Sequence, residues 1–301
     1  MQQKYEPVGA CIFCRESINS GQLTNEHIIA YSLGGVDELP KATCEDHQKI
    51  TARLDEQVAC NMLGIFRHAN GLPSRTKTDL QPHYKIAVTN KKSGVTSLIK
   101  VPISEVPGLY ISPHLIIPGI MVGAPALPFR VGHILKGFLD DKLEKLMRKL
   151  PSGATITRTT GDFNQEVFAA MLSKVAHTFT TAEVGHGNFK PVLLDIIDGN
   201  FANPFHYVGG FEPSAPQEQS PLSLRKEAIA GNCYWIVSIS LKSLPAMPRF
   251  QVVAGQVIDP APFPERSRTA QDSAREAIKD ARLLKAKEQG LYGKQKTKRP
   301  R

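Results

Sequence analysis

Residues 24 to 35 read TNEHIIAYSLGG, with the carboxylate of Glu26 beside the imidazole of His27 and a double glycine a turn later. A hydrophobic core has no use for that pair, but hydrolysis of a phosphodiester does. The reaction needs a base to activate water, and histidine titrates near neutral pH. It also needs a cation to offset charge on the phosphate and the leaving oxygen. Side chains alternate across a strand. Glu26 is therefore expected to take a hard divalent ion, for which Mg2+ with its preference for carboxylates is suited, and His27 to face the water. Gly34 and Gly35 permit the sharp turn that follows.

A second set of residues frames this stretch. Cys11 and Cys14 form a C-x-x-C pair, and Cys44 and His47 a C-x-x-H pair after 29 intervening residues. Two intervening residues let both side chains of a pair converge on one tetrahedral ion, and soft sulfur with one imidazole selects Zn2+. The competing readings are a redox dithiol for the first pair and a surface histidine for His47. Cysteines number five, and MQQKYEPVGA holds no apolar run of the kind a signal peptide needs. A disulfide framework is therefore not expected, and a cytoplasmic metal site is. Cys60 and Cys233 read as ordinary buried thiols.

The segment CIFC…LTNEHIIAYSLGG…LPKATCEDH resembles the HNH endonucleases of the ββα-metal superfamily, in the branch with C-x-x-C, E-H-I-I and C-x-x-C motifs. The resemblance covers about residues 8 to 76. It implies His27 as general base, Glu26 as acidic ligand of a catalytic Mg2+ or Mn2+, and Cys11, Cys14, Cys44 and His47 as structural zinc ligands. It also implies a further metal ligand or phosphate contact from the following helix. The usual Asn there is Gln48, Pro after E-H-I-I is Ala30, and the fourth zinc ligand is His. Asp55 is the candidate for the second metal-binding carboxylate, since it shares a helical face with Gln48 and Thr51.

These residues need elements to hold them. Ile50, Leu54, Val58 and Met62 recur every four residues, which predicts a helix from Glu45 to His68 ended by Gly71 and Pro73. A hairpin is expected around KKSG, with Gly94 at its turn. Helices are expected over 131–150 and 162–185, the second capped by Asp162 and stopped by Gly185. Strands are expected at 154–160, 232–241 and 250–258. Prolines at 107, 113, 118, 125 and 128 break the uncharged stretch after Glu105, so a membrane span is not expected there.

The chain has 301 residues and net charge +9. Residues 265–301 hold twelve Lys and Arg against five Asp and Glu, leaving only +2 on the rest. Such a tail suggests a polyanion as partner. The expected fold is α+β: an N-terminal ββα-metal, treble-clef-like zinc module (1–76), a mixed α+β domain of unassigned role (77–264) and a basic tail (265–301). The expected activity is endonucleolytic hydrolysis of nucleic acid, DNA favoured over RNA. Gln48, Arg67, Arg75, Lys294, Lys296, Lys298 and Arg299 are the candidate nucleic-acid contacts. The alternative is a non-catalytic, zinc-stabilised nucleic-acid-binding module with a degenerate HNH site.

Overall fold

The computed structural model describes residues 4–14, 22–69, 71–73, 83–107, 110–126, 133–138, 142–158, 163–200, 203–210, 220–241, 243 and 247–258. Arg75, Asp162 and the whole basic tail, with Lys294, Lys296, Lys298 and Arg299, lie outside the described residues.

The N-terminal module is a β-hairpin followed by a helix. Strand β1 (Thr24–His27) pairs antiparallel with β2 (Glu38–Thr43), placing His27 opposite Glu38 and Glu26 opposite Leu39. The double glycine acts as expected. Gly34 is left-handed at φ 85°, and a Cβ on Gly35 would lie 1.9 Å from the Ile29 carbonyl oxygen. Helix α1 (Glu45–Glu56) starts at Cys44, with Glu45 and Asp46 in its first turn, where acidic side chains complement the helix dipole. The expected single helix to His68 is interrupted. A π-helical turn occupies Gln57–Met62, Leu63 leaves helical geometry, and α2 (Gly64–Ala69) resumes. The predicted stripe holds through the interruption: Leu54, Val58 and Met62 are buried with Phe13, Ile28 and Leu33.

Strands β3 (His83–Asn90) and β4 (Thr96–Pro102) form the expected hairpin, with Gly94 left-handed at φ 68°. Strand β5 (Tyr110–Leu115) pairs with β6 (His133–Phe138), and helix α3 (Lys142–Lys149) precedes β7 (Ala154–Arg158), which pairs with β3. This corrects the reading of 131–150 as one helix. Its first part is a strand, because all six residues of β5 supply partners that a local helical pattern does not reveal.

Helix α4 (Gln165–Val184) is capped by Asn164, whose side chain accepts from the Glu166 and Val167 amides at 3.0 and 3.1 Å. The helix ends at Gly185 as expected. After β8 (Phe189–Pro191), α5 (Leu194–Ile197) and β9 (Val208–Gly210) come three long strands, β10 (Leu222–Ile229), β11 (Asn232–Ile239) and β12 (Phe250–Val257). Strand β10 was not expected; its Arg-Lys-Glu centre hides the apolar alternation. The sheet order is β10-β11-β12-β8, with β9 also on β12.

Residues 167 to 181 of α4 are all buried. A helix buried all round must be sandwiched. One side meets the sheet, where Phe168 lies 5.4 Å from Phe250 ring to ring, and the other meets α1 and the zinc module. One apolar core runs from Cys11 through α4 to Ala254. No helix among the described residues is long and apolar enough to cross a membrane.

Candidate metal and active site

Cys11, Cys14, Cys44 and His47 converge, their ligand atoms all within 4.8 Å of one another. The Cys14 and Cys44 sulfurs are 3.8 Å apart, and His47 Nδ1 lies 3.7, 3.6 and 3.3 Å from the sulfurs of Cys11, Cys14 and Cys44. Ordinary Zn–S and Zn–N bond lengths in a tetrahedron put ligands about 3.8 and about 3.6 Å apart. The donor set therefore fits zinc. Burial and the neighbouring thiols push Cys14 up to about 12. Burial also opposes ionisation of Cys44, but the His47 amide and ring outweigh it and bring that thiol to about 7. A dication among the sulfurs is what lets several thiolates coexist. His47 turns Nε2 toward Asp198, 3.5 Å away just after α5, the kind of outer carboxylate that fixes a metal-binding imidazole. Sequence reasoning missed Asp198, which is 151 positions from His47.

Thirteen positions after Cys14 in the sequence, His27 ends strand β1 with 17% of its side chain exposed. Its Nε2 lies 3.0 Å from Glu38 Oε1, and Asn25 Nδ2 donates to Glu38 Oε2 at 3.2 Å. Nδ1 is covered. The Glu38 contact follows directly from the hairpin register, a signal that the position of the Gly-Gly turn would have supplied.

Glu26 points the opposite way, as alternation requires, and is buried at 4% exposure. Its Oε2 accepts from Thr43 Oγ1 at 3.0 Å and Thr51 Oγ1 at 3.1 Å. Its Oε1 meets Lys174 Nζ of α4 at 2.9 Å. Lys174 also donates to Asp55 Oδ2 at 3.0 Å and to the His27 carbonyl oxygen at 2.8 Å. Burial disfavours its charge, but Asp55 and Glu26 outweigh that and hold the ammonium above the usual lysine range. The structure thus brings Glu26 and Asp55, the two expected ligands of Mg2+ or Mn2+, to one point, and that point holds an ammonium. The pair does not fit a divalent ion as it stands. Sequence reasoning missed Lys174, although a lone charge in VFAAMLSKVAHTF is a signal for a paired buried cation.

Of the remaining candidates, Gln48 is exposed on α1. Arg67 is a correction. It is 1% exposed, and its guanidinium donates to the carbonyls of Ser32, Ala59 and Pro73 and to Cys60 Sγ. Four of its five donors are spent within the module, three on backbone carbonyls and one on sulfur, and its burial keeps it from a phosphate. Cys60 is exposed rather than buried, while Cys233 is buried as expected.

Residues 11–63 match the family model described as HNH endonuclease. This stretch holds all four zinc-binding candidates, Glu26, His27, Glu38 and Asp55, and the match supports placing the N-terminal module in the HNH endonuclease family. Neither the curated proteins nor the solved structures give a match. The family relation therefore speaks for nuclease action on nucleic acid and is silent on substrate and site roles.

Proposed function

We propose that the N-terminal module is an endonuclease that hydrolyses phosphodiester bonds, with His27 as general base and DNA as the substrate favoured over RNA. The observation that carries this is the His27–Glu38 pair at the strand end of a hairpin that matches the HNH endonuclease family. Water attacks phosphorus, its proton passes to the His27 imidazole, and the bond to the leaving oxygen breaks as that oxygen takes a proton from solvent. Glu38, 3.0 Å away, stabilises the imidazolium that results. Zinc supplies no chemistry in this scheme; it holds the hairpin that presents His27. The expected Mg2+ or Mn2+ on Glu26 and Asp55 is given no step, because both carboxylates face Lys174.

Zinc-loaded wild type and His27→Ala, compared for plasmid nicking at equal zinc content, test the reading. Nicking by wild type that falls at least about a hundredfold in the variant supports it. Equal nicking by both would refute it.

Two observations favour a second reading, a nucleic-acid-binding module that no longer cuts: the ammonium between the carboxylates and the covered Nδ1 of His27. In that case wild type retains nucleic acid at physiological salt without nicking it. Exposed Gln48 and the tail lysines would then be the contacts, and removing residues 265–301 would flatten the salt dependence of binding.

A further inference from the structure

The Glu26–Asp55 pair and Lys174 belong to different parts of the chain, and their meeting calls for an account of its own. A structural ion pair is one. But the carboxylates are on β1, which carries His27, and on α1, and together with the His27 carbonyl they converge on the Lys174 nitrogen. That is an all-oxygen donor set around one point, the chemistry of a hard-cation site.

An ammonium has three hydrogens to give. Lys174 gives one each to Glu26, Asp55 and the His27 carbonyl, at 2.9, 3.0 and 2.8 Å, and its side chain is fully buried. No donor is left for a phosphate, and no face of the nitrogen is left for a competing ion. A magnesium ion would need oxygens at about 2.0–2.1 Å in an octahedron and usually keeps several waters. Reaching that state requires the Lys174 stem to leave a core in which its helix neighbours Ser173 and Val175 are themselves 0% exposed.

We infer that Lys174 is the resident cation of this module: α4 inserts an ammonium into the hard-cation site beside His27 and thereby excludes divalent ions from it. The site takes Mg2+ or Mn2+ only when the ammonium is removed. One of these three bonds ties the His27 backbone to α4, so the base is positioned by a helix outside the matched segment. The inference concerns cation occupancy and stands whether or not the module cuts nucleic acid.

Mn2+ alone, titrated into zinc-loaded protein and followed by the electron-spin-resonance signal of the free ion, provides the test. Wild type is expected to show no saturable uptake into the millimolar range. Lys174→Ala is expected to gain one saturable site at least tenfold tighter, and Lys174→Ala/Glu26→Gln to lose it again. Saturable uptake by wild type that Glu26→Gln abolishes would overturn the inference, since the ammonium would then be displaceable. Folded Lys174→Ala that takes up no Mn2+ would overturn it as well, reducing the cluster to an ordinary ion pair. Should Lys174→Ala fail to fold, Lys174→Met, which keeps the buried stem without the charge, takes its place with the same two outcomes.

Discussion

The module holds two convergent clusters of ligating side chains, and they differ in who supplies the cation. At the knuckles, three sulfurs and an imidazole converge on one point. Beside His27, two carboxylates surround a lysine from α4. The first cluster fits an ion from outside the chain. The second is complete. The difference teaches that a matching motif does not fix the occupant of its site, because a residue far along the chain can fill it.

The largest expected effect is therefore at the knuckles. Stripping the metal, or Cys44→Ser, removes a contribution on the order of 10–16 kcal/mol in comparable zinc peptides. Because the module shares one core with α4, the loss is expected to abolish the near-ultraviolet circular dichroism of the whole chain and not only that of residues 11–63. An apo protein with the native spectrum would break the contrast between the clusters.

Next in size, Lys174→Ala leaves two buried carboxylates without their cation, a loss of about 3–5 kcal/mol. Chemical denaturation measures it. In metal-free buffer the midpoint should fall, and added Mn2+ should restore part of it in the variant while leaving wild type unchanged.

A comparable but pH-dependent effect belongs to His177, which donates from Nε2 to the Ile12 carbonyl at 2.7 Å beside the knuckle. Burial pushes its ring down to about 4, against about 6.5 in the unfolded chain. The unfolded state binds the proton more readily, so this contribution is complete above pH 6.5 and is lost as pH falls from 6.5 to 4. It amounts to about 3 kcal/mol. Acid also loosens the thiolates, so the measurement is the difference between wild type and His177→Gln across that range. A difference independent of pH would contradict it.

Smallest is Arg67→Ala, expected to cost about 2–3 kcal/mol through unpaired carbonyls of Ser32, Ala59 and Pro73. Nucleic-acid affinity of the folded variant should stay at the wild-type level. A loss of affinity at unchanged stability would return Arg67 to the substrate.

The contrast also explains what was legible in the sequence. The knuckle ligands lie in two tight local pairs, so spacing alone disclosed them. The opposite facing of Glu26 and His27 follows from strand alternation, and the hairpin from Gly34 and Gly35. Lys174 reaches Asp55 across 119 positions, and Asp198 is similarly remote from His47. No local period encodes such contacts. The strand at 133–138 was misread for the same reason, since its partner β5 lies about twenty residues away. Arg67 looked like a phosphate contact because charge suggests exposure, whereas the fold brings the carbonyls of Ser32, Ala59 and Pro73 to its guanidinium.

The account's central claim is that the module takes one metal and carries the other cation in its own chain. Mass measurement of the intact native protein, equilibrated with excess Zn2+ and then Mn2+, tests it most directly. The prediction is one zinc per chain, absent in Cys44→Ser, and no second ion. A second divalent ion on wild type that disappears in Glu26→Gln would contradict the account.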